Sequence, residues 1–209
     1  MQPAVRLLCA AALSLASASA FTATSITDTP AAFLAQVAPG YYTESFDGLA
    51  SPPSGPVAFA AGGFAYTASA PGDIYLGGDF LGAAMDDVAL TIDFTSGNVT
   101  ALGANFFASD FFDGFQAASI TLTLGDGTVE VFTPASAADS FRGFVSDVAI
   151  TTLVVRAPAF LSTGFGDVVL YAGLDNLTVG VATVVPEPTS GVLMALGLAG
   201  LLLARRRRT

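Results

Sequence analysis

The side chains of this chain that could do chemistry are almost all carboxylates. The sequence contains no histidine and no lysine, and its single cysteine is Cys9. A Ser-His-Asp triad, a Cys-His pair, a Schiff-base lysine and a histidine metal site each need one of these side chains. The composition therefore excludes most common enzyme chemistries from the chain that follows Cys9.

Paired carboxylates are the remaining set suited to catalysis, because glycoside hydrolysis needs two acids about 5–10 Å apart, one of them with a raised pKa. The candidates are Asp86 with Asp87 and Asp110 with Asp113. Adjacent strand residues point to opposite faces, and Asp113 followed by glycine is typical of a turn. We therefore expect a domain that is not an enzyme.

An apolar run marks the N-terminus. Residues 7–15 follow Arg6 and lead to Ala18-Ser19-Ala20, which predicts a secretory signal peptide over residues 1–20. The run is shorter than the ~20 residues that a spanning helix needs, which argues against an uncleaved anchor. Cleavage after Ala20 would remove Cys9, so the mature protein would contain no cysteine.

A second apolar run lies at the C-terminus, within a segment predicted to extend over residues 184–209. It covers residues 191–204, about 21 Å of helix against a hydrocarbon core of about 30 Å. The prolines before the run favour an extended peptide. The long side chains of the arginines after it can extend to the lipid headgroups, which lengthens the span that the short helix can cover. Positively charged residues stay on the cytoplasmic side of the membrane. The flanking residues are Pro186, Glu187 and Pro188 on one side and Arg205, Arg206, Arg207 and Arg208 on the other.

This order of PEP tripeptide, short apolar helix and arginine cluster resembles the PEP-CTERM sorting signal. The resemblance implies recognition of Pro186, Glu187 and Pro188 by exosortase, a membrane protease-transpeptidase. Processing there would free the domain from its inner-membrane anchor for the cell surface or extracellular matrix. Such tails are also called ice-binding protein C-terminal domains, a name that by itself implies no ice binding. An ordinary anchor with a proline-rich stalk is the alternative.

Residues 21–183 form the predicted domain between the two signals, and their periodicity is that of strands. Large apolar residues alternate with small or polar ones over residues 88–94 and 120–124. Asp126-Gly127 then predicts the turn of a hairpin. Only residues 31–37 have an apolar period near that of a helix. Further β-rich runs cover residues 41–46, 63–68, 99–107, 150–156 and 174–181. We predict an all-β domain, a β-sandwich of jelly-roll type.

Two segments of the domain carry a second resemblance. Residues 141–145, FRGFV, and 174–179, LDNLTV, resemble stretches common in jelly-roll domains of exported PEP-CTERM proteins. In those proteins the D-N-L-T strand closes the domain just before the tail. The resemblance implies the fold rather than an activity. The chain departs from many such proteins in having only three asparagines.

The charge of the domain is strongly negative. Between the two signals, sixteen carboxylates face only Arg142 and Arg156, a net charge of −14. Such a surface repels nucleic acid and anionic lipid, so we expect no nucleic-acid partner. The acids could bind divalent cations, or they could simply keep a lysine-free domain soluble.

Calcium is the cation that this composition would suit, because it takes hard oxygen ligands and needs neither histidine nor cysteine. In related jelly-roll folds a structural calcium often lies where the first and last strands meet. The resemblance would bring Glu44 or Asp47 near Asp175. Ordinary surface acids are the alternative, since no spacing in the sequence matches a calcium loop.

The predicted function is that of a non-enzymatic surface or matrix protein, with a structural or adhesive domain delivered into extracellular polysaccharide. The alternative is a glycan-binding or glycan-cleaving module of the same fold. Sugar-binding platforms use exposed aromatic rings, and the domain contains no tryptophan. Residues 105–115 hold so many rings beside turn residues that some could be exposed. Packing of these rings in the core of the domain is the simpler interpretation.

Overall fold

The computed structural model describes residues 24–50, 55–77, 79–164 and 166–183. The predicted signal peptide, residues 1–20, and the predicted tail, residues 184–209, lie outside these ranges, as does the predicted helix of the tail. Their structure and the boundaries of the predicted domain, residues 21–183, stay predictions. None of the helices within the described ranges is long and apolar enough to cross a membrane.

The regular elements of the described residues are strands, apart from one short α-helix and a single turn of 3₁₀ helix at Ala137–Asp139. In chain order the elements are β1 (Thr24–Thr27), α1 (Pro30–Leu34), β2 (Tyr42–Glu44), β3 (Val57–Ala61), β4 (Phe64–Ser69), β5 (Ile74–Gly77), β6 (Phe80–Ala83), β7 (Leu90–Phe94), β8 (Ala101–Ser109), β9 (Phe115–Gln116), β10 (Ile120–Leu124), β11 (Val129–Phe132), β12 (Phe141–Ser146), β13 (Thr152–Arg156), β14 (Phe160–Thr163), β15 (Gly166–Val169) and β16 (Tyr171–Gly180).

The strands form three antiparallel sheets. The first has eight strands in the order β1-β12-β8-β16-β6-β5, with β2 paired to β16 and β9 paired to β8. The second has six strands in the order β11-β10-β13-β7-β4-β3, and β14 and β15 form a separate pair. The prediction of an all-β domain is confirmed.

Strand β7 illustrates how alternation produces the buried face. Leu90, Ile92 and Phe94 are buried, while Thr91 and Asp93 between them are not. Val88, which the alternation placed on the same face, lies before the strand and is only partly buried. The strand begins at Leu90, two residues later than the pattern predicts.

The hairpin predicted after residue 120 is present as β10 and β11. Ile120 lies opposite Phe132, and the register continues to Thr123 opposite Val129. At the turn, Gly127 has a φ of 90°, which glycine adopts without a Cβ penalty. The carboxylate of Asp126 accepts a hydrogen bond from the backbone N–H of Thr128 at 2.8 Å, which holds the turn closed.

One apolar core joins the two large sheets. Leu102 and Phe106 of β8 and Leu174 of β16 lie in the same buried cluster as Ile92 of β7 and Leu153 of β13. All five are fully buried, and each such side chain contributes roughly 1.5–3 kcal/mol relative to exposure. The sheets therefore pack face to face, and each keeps a second face that points away from this core.

Helix α1 covers that second face of the eight-stranded sheet at β1, β12 and the start of β8. Thr29 caps the helix by accepting a hydrogen bond from the N–H of Ala32 at 3.3 Å. Phe33 then packs over Gly143 of β12, where an added Cβ would lie 2.6 Å from the ring. Phe141 contacts Phe33 at a centroid distance of 5.8 Å. The helix is shorter than residues 31–37, the range in which the sequence suggested one.

The two ends of the described chain meet at Gln36. The Ser25 hydroxyl donates to the side-chain oxygen of Gln36 at 3.5 Å, and the N–H of Thr183 donates to its backbone carbonyl at 2.8 Å. The N–H of Ala182 donates to the Thr100 hydroxyl, just before β8, at 2.8 Å. The last described residues are thus tied to the start of β8.

Candidate functional site

We call this second face of the eight-stranded sheet the outer face; the part of it that α1 leaves open is formed by β5, β6, the first half of β16 and the second half of β8. In the register of β16 and β8, Asp175 lies opposite Asn105 and Tyr171 lies opposite Ser109. Leu174 belongs to the core, so the neighbouring Asp175 projects to the outer face. The same alternation buries Phe106 completely and turns Phe107 outward.

Three rings form a row across this open half. Tyr75 contacts Phe80 with ring centroids 5.5 Å apart, and Phe80 contacts Phe107 at 5.2 Å. Gly82 and Gly173 leave the space for these rings, because added Cβ atoms would lie 3.0 Å and 3.2 Å from the Phe80 ring. Small residues in the strands therefore let large rings lie across the sheet.

The turn between β8 and β9 borders the row, and a single carboxylate organises it. Asp110 accepts hydrogen bonds from the backbone N–H groups of Phe112, at 2.8 Å, and Gly114, at 2.9 Å. It also accepts one from the side chain of Gln116 at 2.8 Å. The turn leaves Phe111 76% exposed and Phe112 88% exposed. Aromatic exposure in residues 105–115 is thus concentrated at this turn.

Two cavities open on the outer face, one on each side of Phe80. The first has a volume of about 320 Å³ and is lined by Tyr75, Phe111 and Tyr171 among others. The second has a volume of about 360 Å³ and is lined by polar residues beside Phe107. Because Phe80 and Asp113 line both cavities, the two adjoin on this face, and we call them together the outer groove. The polar residues of the second cavity are Asp79, Asn105, Asp113, Ser140, Asp175 and Asn176.

The outer groove is electronegative. Partial burial raises the pKa of the Asp175 carboxyl, the N–H of Asn176 opposes that rise, and the nearby carboxylates of Asp47 and Asp79 add to it. The Tyr75 hydroxyl donates a hydrogen bond to Asp113 at 2.8 Å, and this bond is the largest cause that raises the pKa of Tyr75. The end of the groove that contains Asp79, Asp113 and Asp175 is therefore rich in hydrogen-bond acceptors.

The structure brings together only part of the predicted calcium set. Asp47 lies close enough to Asp175 to raise its pKa, and Asp79, which the sequence did not single out, does the same. Within the described ranges, no group of three or more histidine, cysteine, aspartate or glutamate side chains is placed to hold a metal ion. The calcium site of Glu44, Asp47 and Asp175 stays a prediction.

Glu44 lies on the other side of the sheet from Asp175. Glu44 is paired with Leu177, whose side chain lies in the core, so Glu44 lies on the core side of the sheet. Asp175 and Leu177 point to opposite sides because β16 shifts register at Asn176, which has a φ of 54°. The Glu44 carboxylate accepts hydrogen bonds from the Tyr42 hydroxyl and from the N–H of Phe46. Burial and then the bond to Glu44 raise the pKa of Tyr42 to about 12.

The paired acids considered for hydrolysis are held in turns. Asp110 is occupied by the hydrogen bonds of its own turn, and Asp113, with a φ of 63°, is bonded to Tyr75. Asp86 and Asp87 are exposed in the turn after β6 and line neither cavity of the outer groove, although Ala84 in the same turn lines the first.

The sorting residues Pro186, Glu187 and Pro188 and the cluster from Arg205 to Arg208 lie outside the described residues. A comparison with protein families matches residues 184–208 to the PEP-CTERM protein-sorting motif. The chain therefore carries a PEP-CTERM sorting domain, as its sequence predicts. This motif implies export, membrane-anchored sorting and processing by exosortase. No curated protein and no solved structure matches the chain.

Proposed function

We propose that this chain is a non-enzymatic protein of the cell surface or extracellular matrix, with a β-rich domain that acts as a structural or adhesive module. The observation that carries the proposal is the sorting motif at residues 184–208, directly after a folded domain whose last described residue is Thr183. In this arrangement the folded domain is the part of the protein that the sorting motif delivers.

The fold that we propose for this cargo is a β-sandwich of jelly-roll type. Two large antiparallel sheets that share one core support it, as do neighbours that are distant in sequence, such as β1 beside β12 and β16 beside β6. The segments resembling jelly-roll domains, residues 141–145 and 174–179, lie in β12 and β16, two strands that both pair with β8.

The non-enzymatic part of the proposal is supported by the way the acids are used. Asp110 holds a turn together and Asp113 accepts the Tyr75 hydroxyl, so these carboxylates have structural tasks. The adhesive part is supported by the outer groove and by the exposed rings of Phe111 and Phe112 beside it. Exposed rings beside polar groups are typical of surfaces that bind other molecules.

The maturation of the chain tests the proposal. Intact mass spectrometry of the released protein should place its N-terminus at Phe21 and its C-terminus between Pro186 and Pro188. Replacement of Pro186, Glu187 and Pro188 by alanine should keep the protein in the cell membrane, whereas the neighbouring double change Thr189→Ala and Ser190→Ala should not. A released wild-type form that retains Arg205 would contradict sorting by processing at the motif.

A second assay tests the non-enzymatic part. The purified protein, incubated with polysaccharide from the producing cells, should release no reducing ends above the level of a heat-denatured control. Release that is lost in Asp113→Asn would show instead that the outer groove is a hydrolase site.

A further inference from the structure

We propose that the outer groove binds an uncharged glycan chain, and that this binding is the adhesive activity of the domain. The inference rests on the proposed function, which it deepens by naming the site and the class of ligand. Its evidence is the combination in one groove of an aromatic floor, a dense set of hydrogen-bonding groups and a negative charge.

The floor of the groove offers apolar surface from the half-buried rings of Tyr75 and Phe107, which lie on either side of Phe80, itself only 5% exposed. Tyr75, Phe80 and Phe107 follow one another with centroid distances of 5.5 Å and 5.2 Å. These rings come from β5, β6 and β8, which belong to one sheet, so the backbone fixes their spacing. A rigid row of rings binds without the entropy cost of ordering flexible side chains.

The polar lining suits a ligand that carries many hydroxyl groups. Asp79, Asp113 and Asp175 supply carboxylate acceptors, while the amides of Asn105 and Asn176 can both donate and accept. A purely apolar ligand would remove water from these groups without replacing its hydrogen bonds, at a large cost. A sugar donates and accepts hydrogen bonds around its rim while its CH groups pack on the floor.

The charge of the groove selects against acidic glycans. Arg142 pairs with Glu130 at 3.3 Å, and Arg156 lies on β13 in the other large sheet. Neither arginine lines either cavity of the groove. A uronate or sulfate in the groove would therefore meet carboxylates without a balancing cation, which favours an uncharged ligand.

The extent of the groove favours a chain of sugars over a single sugar. The cavities of about 320 Å³ and 360 Å³ adjoin each other at Phe80 and Asp113, which line both. The groove also lies open along the sheet surface, with Phe111 standing at one border. Because Phe111 is 76% exposed, its ring is free to pack on a ligand at little cost to the fold.

Affinity electrophoresis of the full-length chain in detergent tests the inference. Native gels would contain a soluble β-glucan, a galactomannan, dextran or the neutral polysaccharide of the producing cells, with alginate as an anionic probe. We expect retardation in at least one neutral gel and none in alginate. Phe111→Ala should weaken that binding about tenfold, because the ring no longer buries apolar surface on the sugar.

Phe160→Ala is the matched control, since Phe160 is also largely exposed, at 55%, but lies on β14 in the two-stranded sheet. It should bind as the wild type does. The inference is overturned if no neutral gel retards the wild type, if alginate retards it as strongly, or if the two alanine variants behave alike. A protein that is processed correctly but binds no glycan contradicts this inference alone. One that binds glycan but is never sorted contradicts only the proposed function.

Discussion

The hydroxyl of Tyr75 on β5 donates a 2.8 Å hydrogen bond to the carboxylate of Asp113, in the turn between β8 and β9. These residues are 38 positions apart in sequence. The bond ties an edge strand of the eight-stranded sheet to the turn that displays Phe111 and Phe112, and so fixes one border of the outer groove.

Tyr75→Phe should loosen this turn with only a small loss of stability. The ring keeps its contact with Phe80, so the free energy of unfolding should fall by at most about 1 kcal/mol. Backbone amides of residues 110–116 should exchange faster in hydrogen-exchange mass spectrometry. Tyr171→Phe, which removes a hydroxyl from the same cavity, should leave that exchange unchanged.

The contribution of this bond should also depend on pH. The folded protein raises the pKa of Tyr75 above its usual 10.0, so the stabilisation is complete below pH 10.0 and fades as the hydroxyl ionises above it. The difference in melting temperature between wild type and Tyr75→Phe should therefore be constant near neutral pH and shrink in alkali. A difference that grows with pH would contradict the assignment.

Gly143→Ala should destabilise the domain by roughly 1–3 kcal/mol, because the new Cβ would lie 2.6 Å from the Phe33 ring and 2.7 Å from the Thr27 hydroxyl. Urea unfolding measures this loss. Gly164→Ala, at a position with nothing within 4 Å of the added carbon, should change the free energy of unfolding little. Equal effects of the two substitutions would show that α1 is not packed on β12.

Asp175→Asn should raise the melting temperature at neutral pH. Burial, with the charges of Asp47 and Asp79, raises the pKa of Asp175 in the folded protein, so ionisation of this carboxyl costs stability. The cost is absent when the group is protonated in both folded and unfolded states, below pH 3.8, and present above its raised pKa. Calorimetry should therefore show a gain at pH 7 that disappears in acid.

The calcium prediction is tested by comparing two ions. Of the predicted ligands, Asp47 is the one that lies near Asp175, and a site built from these two should prefer calcium to magnesium, so calcium should raise the melting temperature more. Asp175→Ala should abolish the difference, whereas Asp147→Ala, an exposed acid outside the predicted set, should preserve it. Equal shifts with both ions would indicate screening of the net charge of −14 alone.

The strands were predictable where one face alternates, because burial of that face repeats every second residue. The β10–β11 hairpin also carries its turn signal, Asp126-Gly127, within the sequence. The helix and the order of strands in the sheets were harder, since pairing of β8 with β16 joins residues more than 60 apart.

The site was only partly predictable for the same reason. The density of rings in residues 105–115 allows some to be exposed, but the row of Tyr75, Phe80 and Phe107 requires three strands whose order the sequence does not state. The prediction that Glu44 could lie near Asp175 rests on the resemblance to jelly-roll domains and not on strand register. The shift at Asn176 instead places their side chains on opposite faces of the sheet.

Strand β8 sets the distance between the two ends of the domain. It has nine residues, which at about 3.3 Å each span roughly 30 Å. Thr100, just before its start, accepts a hydrogen bond from Ala182, close to the sorting motif, and its far end leads into the turn with Phe111 and Phe112. The length of β8 thus separates the aromatic turn from the end of the domain that precedes the sorting motif. The aromatic turn therefore lies about one strand length from Thr183, the last described residue before the sorting motif.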